Sequence, residues 1–243
     1  MGFFVVDFSL SLFYNTNMNT QFWNYFTQEA EPLLALRAVS FRKMFEHLDT
    51  FTGPVTIVET GCLRQIGNWA GDGQSTLLFD KYVTYRNDGS KVYSVDIDAA
   101  AVDACKSQVS SSVTVTAMDS VRFLNNLAEQ FVKDSTTVEL LYLDSYDVDW
   151  TYWFPSAAHH LKELVIAQRF IDTSTLVVVD DCGLTGMILP RESNVFTLAG
   201  NIKIGGKGRL IAELAEQVGL KPLFSYYQAG WLGFASARKT LDN

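Results

Sequence analysis

The sequence predicts an α/β domain: a mostly parallel sheet of seven strands with helices on both faces, preceded by a helical cap. Three observations lead to this. From Val55 onward, short β-branched runs alternate with amphipathic stretches. The runs are apolar almost throughout rather than at every second residue, as in a parallel sheet covered on both faces. The alternation breaks only near the C-terminus, where two strands follow each other so tightly that they must be antiparallel. The division expected is a cap over residues 1–51 and the α/β domain over 52–243.

The cap is rich in aromatics, holding nine of the seventeen Phe together with Tyr14, Trp23 and Tyr25. Apolar residues from Glu29 to Leu48 recur at helical spacing (Leu33, Leu36, Val39, Phe41, Met44, Phe45, Leu48), with Pro32 suited to a first turn. Such a helix either covers a sheet edge or roofs a cleft. Strands are expected at Val55–Glu59, Lys91–Ile97, Val113–Met118, Val138–Asp144 and Thr175–Asp180. Helices are expected at Ser75–Tyr85, Ala99–Ser110, Val121–Val132, Pro155–Phe170 and Lys207–Val218. A hairpin closes the chain, Lys221–Tyr227 and Trp231–Ala237 about a Gln-Ala-Gly turn. Cys182–Gly206 shows no clear element, and with Leu63–Ala70 is expected to set substrate specificity.

Composition narrows the function. The 243 residues are 48% hydrophobic and 19% charged, which excludes a disordered or fibrous chain. Nineteen basic residues stand against 27 acidic, net −8, with no basic stripe, so nucleic acid is a poor partner. Cys62, Cys105 and Cys182 are widely spaced and form no CxxC, which suits a reducing, cytoplasmic setting. Gly2–Phe13 is apolar, but the first basic residue is Arg37 and Asp7 interrupts the run, so neither a signal peptide nor a membrane span is expected; Met18 is a second candidate start. A homo-oligomer is compatible with all of this.

In parallel sheets, ligands bind beyond the carboxyl ends of the strands, where strand order reverses. The first strand ends Val58-Glu59-Thr60-Gly61-Cys62, and Gly71-Asp72-Gly73-Gln74-Ser75-Thr76 then opens a helix. Glycines there let backbone approach a ligand, and Glu59 suits a cationic amino group. Asp96, ending the second strand, can accept from both hydroxyls of a ribose. Met118 and Asp119 follow the third strand. This order of motifs over Val55–Ala237 resembles the class I S-adenosylmethionine (SAM)-dependent methyltransferases, with their seven-stranded Rossmann-like sheet. The resemblance implies SAM bound by Glu59, Gly61, Gly73, Ser75, Asp96, Met118, Asp119 and Asp144. A nicotinamide dinucleotide, NAD(P), is the rival cofactor of an oxidoreductase, but Thr76 stands where its third glycine would pack and Glu59 would meet the phosphates.

The fourth strand ends Leu143-Asp144-Ser145-Tyr146-Asp147 and the fifth Val179-Asp180-Asp181-Cys182. Carboxylates gathered at adjacent strand ends repel unless protonated or bridged by a cation, and oxygen ligands select a hard ion. These residues resemble the metal-dependent O-methyltransferases, the macrocin (antibiotic-sugar) type above all. That implies Mg²⁺ or another hard divalent cation on Asp144, Asp180 and Asp181. The catechol branch carries a lysine three residues after the first of these; here that residue is Asp147. The sugar branch implies an aspartate base, Asp147 or Asp149, with Asp144 beside it. His159 and His160, mid-helix, are read as packing residues, and Trp150, Tyr152 and Trp153 either wall the acceptor site or fill core. No Pro-Pro-aromatic motif and no Pro-Cys pair is present, which removes the usual base-methylating chemistries. The expectation is a divalent-metal-dependent O-methyltransferase acting on a small-molecule or sugar hydroxyl. The alternatives are an NAD(P)-dependent oxidoreductase and a SAM-binding protein without methyl transfer.

Overall fold

The computed structural model describes residues 19–191 and 195–236. Gly2–Phe13, Met18 and the end of the expected last strand lie outside them. Five parallel strands, β1 (Thr56–Thr60), β2 (Lys91–Asp96), β3 (Val113–Ala117), β4 (Leu140–Leu143) and β5 (Leu176–Val179), join two antiparallel ones, β8 (Phe224–Ser225) and β9 (Ala229–Trp231), in the order β3-β2-β1-β4-β5-β9-β8. The chain therefore steps out from β1 through β2 to β3, then returns to β1's other side at β4. That reversal places a crevice beyond the carboxyl ends of β1, β2 and β4.

Side chains alternate between two cores, as the period of a strand demands. Ile57, Val92, Leu140, Tyr142, Leu176 and Val178 face the first, with α2 (Ala38–Leu48), α4 (Ser75–Arg86) and α5 (Ala99–Lys106) over them. Val58, Val95, Leu141, Leu143, Val177 and Val179 face the second, under α6 (Ser120–Asp134), α7 (Phe154–Ala167) and α8 (Arg209–Gln217). Every residue of β4 and β5 is buried, which is why both read as continuous apolar runs. Asp98 and Asp119 cap α5 and α6 by accepting from Ala100 N (2.8 Å) and Arg122 N (2.9 Å), which stops the helices at the strand ends. Among the described residues no helix is long and apolar enough to cross a membrane.

The structure departs from the sequence reading in three places. The expected helix over Glu29–Leu48 is broken. After α1 (Thr20–Tyr25), a π turn (Phe26–Ala30) and 3-10 turns (Glu31–Leu33, Ala35–Arg37) precede α2, because Pro32 lacks an N–H and collides with the carbonyl four residues back. Leu33, Leu36 and Val39 are thereby turned outward, 48, 70 and 48% exposed. Phe22, Phe26, Phe41 and Phe45 bury instead, with the Phe22 and Phe45 rings 5.0 and 5.3 Å from Tyr82 and Phe41 6.0 Å from Tyr142. The cap thus covers a face of the sheet, not its edge.

Second, Cys182–Gly206 is not structureless. It forms a separate antiparallel ribbon, β6 (Leu184–Arg191) with β7 (Val195–Ile204), irregular between Thr185 and Met187. Gly186, Pro190 and Gly200 dilute its strand signal, and a two-stranded ribbon outside the main sheet tolerates a proline. Third, the closing turn lies at Tyr226–Gln228, where Tyr226 N donates to Gln228 O (2.9 Å). Ala229 and Gly230 already belong to β9, which pairs with β5 through Val178↔Gly230, and the strand expected over Trp231–Ala237 ends at Trp231. A side chain at Gly230 would strike the Phe224 ring at 2.6 Å, so this strand glycine answers to packing, not turning.

Candidate active site

At the end of β1, Gly61 turns with φ +86°, and an added Cβ would stand 2.5 Å from the backbone oxygen of Asp144. Only glycine allows this approach. Gly61 N donates to Val95 O (2.8 Å) and Asp144 N to Thr60 O (2.8 Å), so the ends of β1, β2 and β4 are tied together. Asp96 sits over the knot, half-buried. One of its carboxylate oxygens accepts from Cys62 N (3.3 Å) and the other from Asp98 N (2.9 Å).

A cleft of about 310 Å³ opens here, lined by Gly61, Val95, Asp96, Ile97, Asp119, Ser120, Ser145, Tyr146 and His159. Its size is at the lower end of the roughly 300–1,000 Å³ of small-molecule sites. Ile97 is 77% exposed, an apolar lip beside a carboxylate. Opposite, Tyr146 and His159 lie with ring centroids 5.6 Å apart. His159 Nε2 is 2.8 Å from Ser120 Oγ and 3.4 Å from Glu163. Glu163 is buried and accepts from Ser145 Oγ (2.6 Å) and Thr60 Oγ1 (3.2 Å). Burial would raise the Glu163 carboxyl, but His159 and the surrounding donors win and lower it. Glu163 in turn raises the His159 imidazole above its ordinary value against the pull of burial. The sequence predicts a packing role for His159, and the structure makes it a wall of the cleft. Its neighbour His160 is fully buried, as that reading held.

Of the residues expected to hold a cofactor, Gly61, Asp96 and Asp119 meet in this cleft, and the others are not among its lining residues. Glu59 is fully buried, one strand position short of the opening, where its side chain faces α4 and accepts from Thr76 Oγ1 (2.7 Å) and Ser94 Oγ (2.6 Å). It fastens α4 to β1 and β2. Gly73 turns with φ +69° beneath Arg37, and Ser75 is buried at the start of α4. Met118 packs on the second core and its sulfur accepts from Asn126 (3.6 Å).

The acidic cluster forms, but around cations that the chain itself supplies. Arg37 Nε lies 3.1 and 2.9 Å from the two oxygens of Asp180, and its Nη2 lies 3.1 Å from Asp181. Lys207 Nζ bonds Asp144 and lies 2.9 Å from Asp181. The Tyr142 hydroxyl donates to Asp180 (2.8 Å). Burial would lower the Lys207 ammonium, yet Asp144, Asp181 and Asp180 outweigh it and raise its pKa. Burial would raise Asp181, and Lys207, Tyr227 and Arg37 lower it. Asp144 goes the other way: burial, with Asp180 and Asp181 nearby, holds its carboxyl well above the ordinary range although Lys207 opposes. Asp144, Asp180 and Asp181, the expected metal ligands, are brought together, each held by a basic side chain of the chain itself. As arranged, their oxygens are taken by guanidinium and ammonium, and among the described residues no group of three His, Cys, Asp or Glu is disposed to hold an ion.

Asp147, the expected base, also stands elsewhere: its side chain is 70% exposed and paired with Arg64 (3.0 Å) at the surface. Asp149 caps the turn before α7, accepting from Thr151 N (2.8 Å) and Tyr152 N (3.0 Å). Trp150 lies against Gly183 and Gly206, where added Cβ atoms would meet its ring at 2.7 and 3.1 Å, and stays 52% exposed beside the cluster. Sequence reasoning missed Arg37 and Lys207. The available signals were a first basic residue amid aromatics and a lone lysine in Gly205-Gly206-Lys207-Gly208.

No protein-family profile matches the sequence, and no curated protein sequence matches it at a significant level. Among solved structures, similarity is found to a TehB-like SAM-dependent methyltransferase from Corynebacterium glutamicum (15% identity, 78% of this chain and 86% of that one, TM-score 0.42). It is found also to DesVI of Streptomyces venezuelae (7%, 87% and 96%, 0.45) and to CalO1, a methyltransferase in calicheamicin biosynthesis solved with SAH (14%, 86% and 59%, 0.36). Likeness at this level is too slight to carry a function, which has to come from the sheet order and the cleft.

Proposed function

We propose that the chain is a SAM-dependent methyltransferase that methylates a hydroxyl of a small molecule or sugar. The observation that supports this most is the cleft at the β1/β4 reversal, where the Gly61 turn, the partly open Asp96 carboxylate and the exposed Ile97 stand together. This is the equipment a nucleoside needs: a carboxylate for two ribose hydroxyls, an apolar lip for the base, and the Tyr146 and His159 rings facing it. A dinucleotide is disfavoured because the start of α4 is closed. Gln74 and Ser75 are buried, Gln74 bridges Gly67 N (3.0 Å) and Gln65 O (2.7 Å), and Gly73 lies under Arg37. A diphosphate has no free helix terminus there.

SAM, when bound, supplies an electrophilic methyl group. The protein's part is to orient the acceptor oxygen and take its proton, since displacement in line is mainly a matter of positioning. Asp144 is the carboxylate we assign to the proton: it follows β4, and its backbone lies against the Gly61 turn that lines the cleft. The half-exposed face of Trp150 offers a ring surface to the acceptor. Thermal shift with SAM and with NAD, each alone, tests the cofactor; SAM is expected to stabilise and NAD to have no effect. A panel of hydroxylated acceptors, read for methylated product by mass spectrometry, tests the reaction. Stabilisation by NAD and not by SAM would overturn the reading.

A further inference from the structure

We infer that Arg37 and Lys207 are resident cations in the place where a divalent ion was expected, so that this chain holds Asp144, Asp180 and Asp181 together without a metal. The arrangement stands on geometry and holds whether or not the protein transfers methyl groups. Two unit charges supply what one divalent ion would. Lys207 is 1% exposed and the Arg37 side chain 6%, and charges buried to that degree persist only when paired. Each is paired on two sides. Lys207 spans Asp144 and Asp181, and Arg37 spans Asp180 and Asp181 while stacking over the Tyr227 ring at 4.7 Å.

The backbone is shaped to put them there. Gly206 turns with φ +52° and is pressed on the Asp181 carbonyl, which also accepts from Lys207 N (3.2 Å). Gly208 is closed against Cys182 Sγ. A Cβ at Gly73 would stand 3.0 Å from Arg37 Cδ, so the glycine leaves the guanidinium stem its channel. A hard divalent ion wants six or more oxygens, and here it would have to displace an ammonium from between two of them.

The test uses Mg²⁺ and Mn²⁺ themselves. For the wild-type protein, calorimetric titration should show no saturable stoichiometric site, and neither ion nor chelator should move Tm by more than about a degree. In Lys207→Met the carboxylates lose one cation, and Tm should fall on the order of 10 °C. Mg²⁺ at ten times its Kd should then recover about 3–5 °C, and nothing in the Lys207→Met, Asp181→Asn double variant. That rescue separates a lost cation from lost packing. A wild-type protein that binds Mg²⁺ stoichiometrically, or melts lower in chelator, overturns the inference; so does a Lys207→Met protein that Mg²⁺ leaves unchanged. Should Lys207→Met not fold, the wild-type titration decides alone.

Discussion

His160 makes the protein acid-sensitive in a way that a single substitution should abolish. The imidazole is fully buried on α7, its Nδ1 2.7 Å from the Ser156 carbonyl oxygen and its Nε2 without a partner among the described residues. Burial, with Lys207 and His159 adding to it and Glu163 opposing, pushes its pKa from 6.5 down to about 4. The sign follows from which state binds the proton. Below pH 6.5 the unfolded chain protonates this histidine and the folded one does not, so stability falls as pH falls and the loss is complete near pH 4. At about 1.4 kcal/mol per pH unit, roughly 2 kcal/mol is lost by pH 5 and about 3 kcal/mol in all. His159 acts in reverse, since its pKa is raised: it contributes stability below its unfolded value and loses it as pH rises through the folded one. Because both proteins carry it, it cancels in a comparison of wild type with His160→Leu. Urea unfolding at pH 7.5 and pH 5 should show wild type losing about 2 kcal/mol more than the variant over that interval. Equal losses in the two proteins would refute the argument and mean that His160 is protonated, or hydrated, inside the fold.

Asp96→Ala removes a charged acceptor for two ribose hydroxyls, each bond worth about 1.5–3 kcal/mol, so SAM affinity should weaken at least tenfold by calorimetry; unchanged affinity takes Asp96 out of the site. Asp144→Asn should lower kcat by about 10²–10⁴-fold while the exposed Asp147→Asn stays near wild type, measured by product formation at saturating SAM; the opposite ranking would return the base to Asp147. Gly61→Ala should cost about 2–5 kcal/mol in urea unfolding, from a left-handed φ together with overpacking on the Asp144 carbonyl; a loss below about 1 kcal/mol would show that the strand ends yield.

The sheet was legible because strands buried on both faces leave an uninterrupted apolar signature, as Leu140–Leu143 and Leu176–Val179 do. Gly61, Asp96 and Asp119 were legible for the same reason: the carboxyl end of a parallel strand is a place that sequence can locate. Glu59 shows where that logic stops. It lies one residue inside the end of β1, and the period of two turns its side chain toward α4 and away from the opening. The acidic cluster was legible as a cluster, since β4 and β5 are neighbours. Its counter-charges were not, because Arg37 and Lys207 lie 143 and 63 residues from the aspartates they bind, and local periodicity carries no signal of so distant a pairing. The β6–β7 ribbon was not legible because Gly186, Pro190 and Gly200 interrupt its branched residues.

The two cations also tie the cap and the ribbon to the acidic cluster. Arg37 stands between the cap's aromatic packing and α2, while Lys207 stands at the foot of β7 just before α8. Breaking either contact would leave a carboxylate buried without its partner, which costs several kcal/mol, far more than an exposed pair would. The position of both segments is therefore coupled to the ionisation of Asp144 and Asp181. Gln228 extends the coupling: it accepts from Ser40 on α2 and donates to the Tyr142 hydroxyl (2.6 Å), which donates to Asp180 in turn. A proton arriving on Asp144 weakens its hold on Lys207, and with it the anchor of the ribbon beside Trp150.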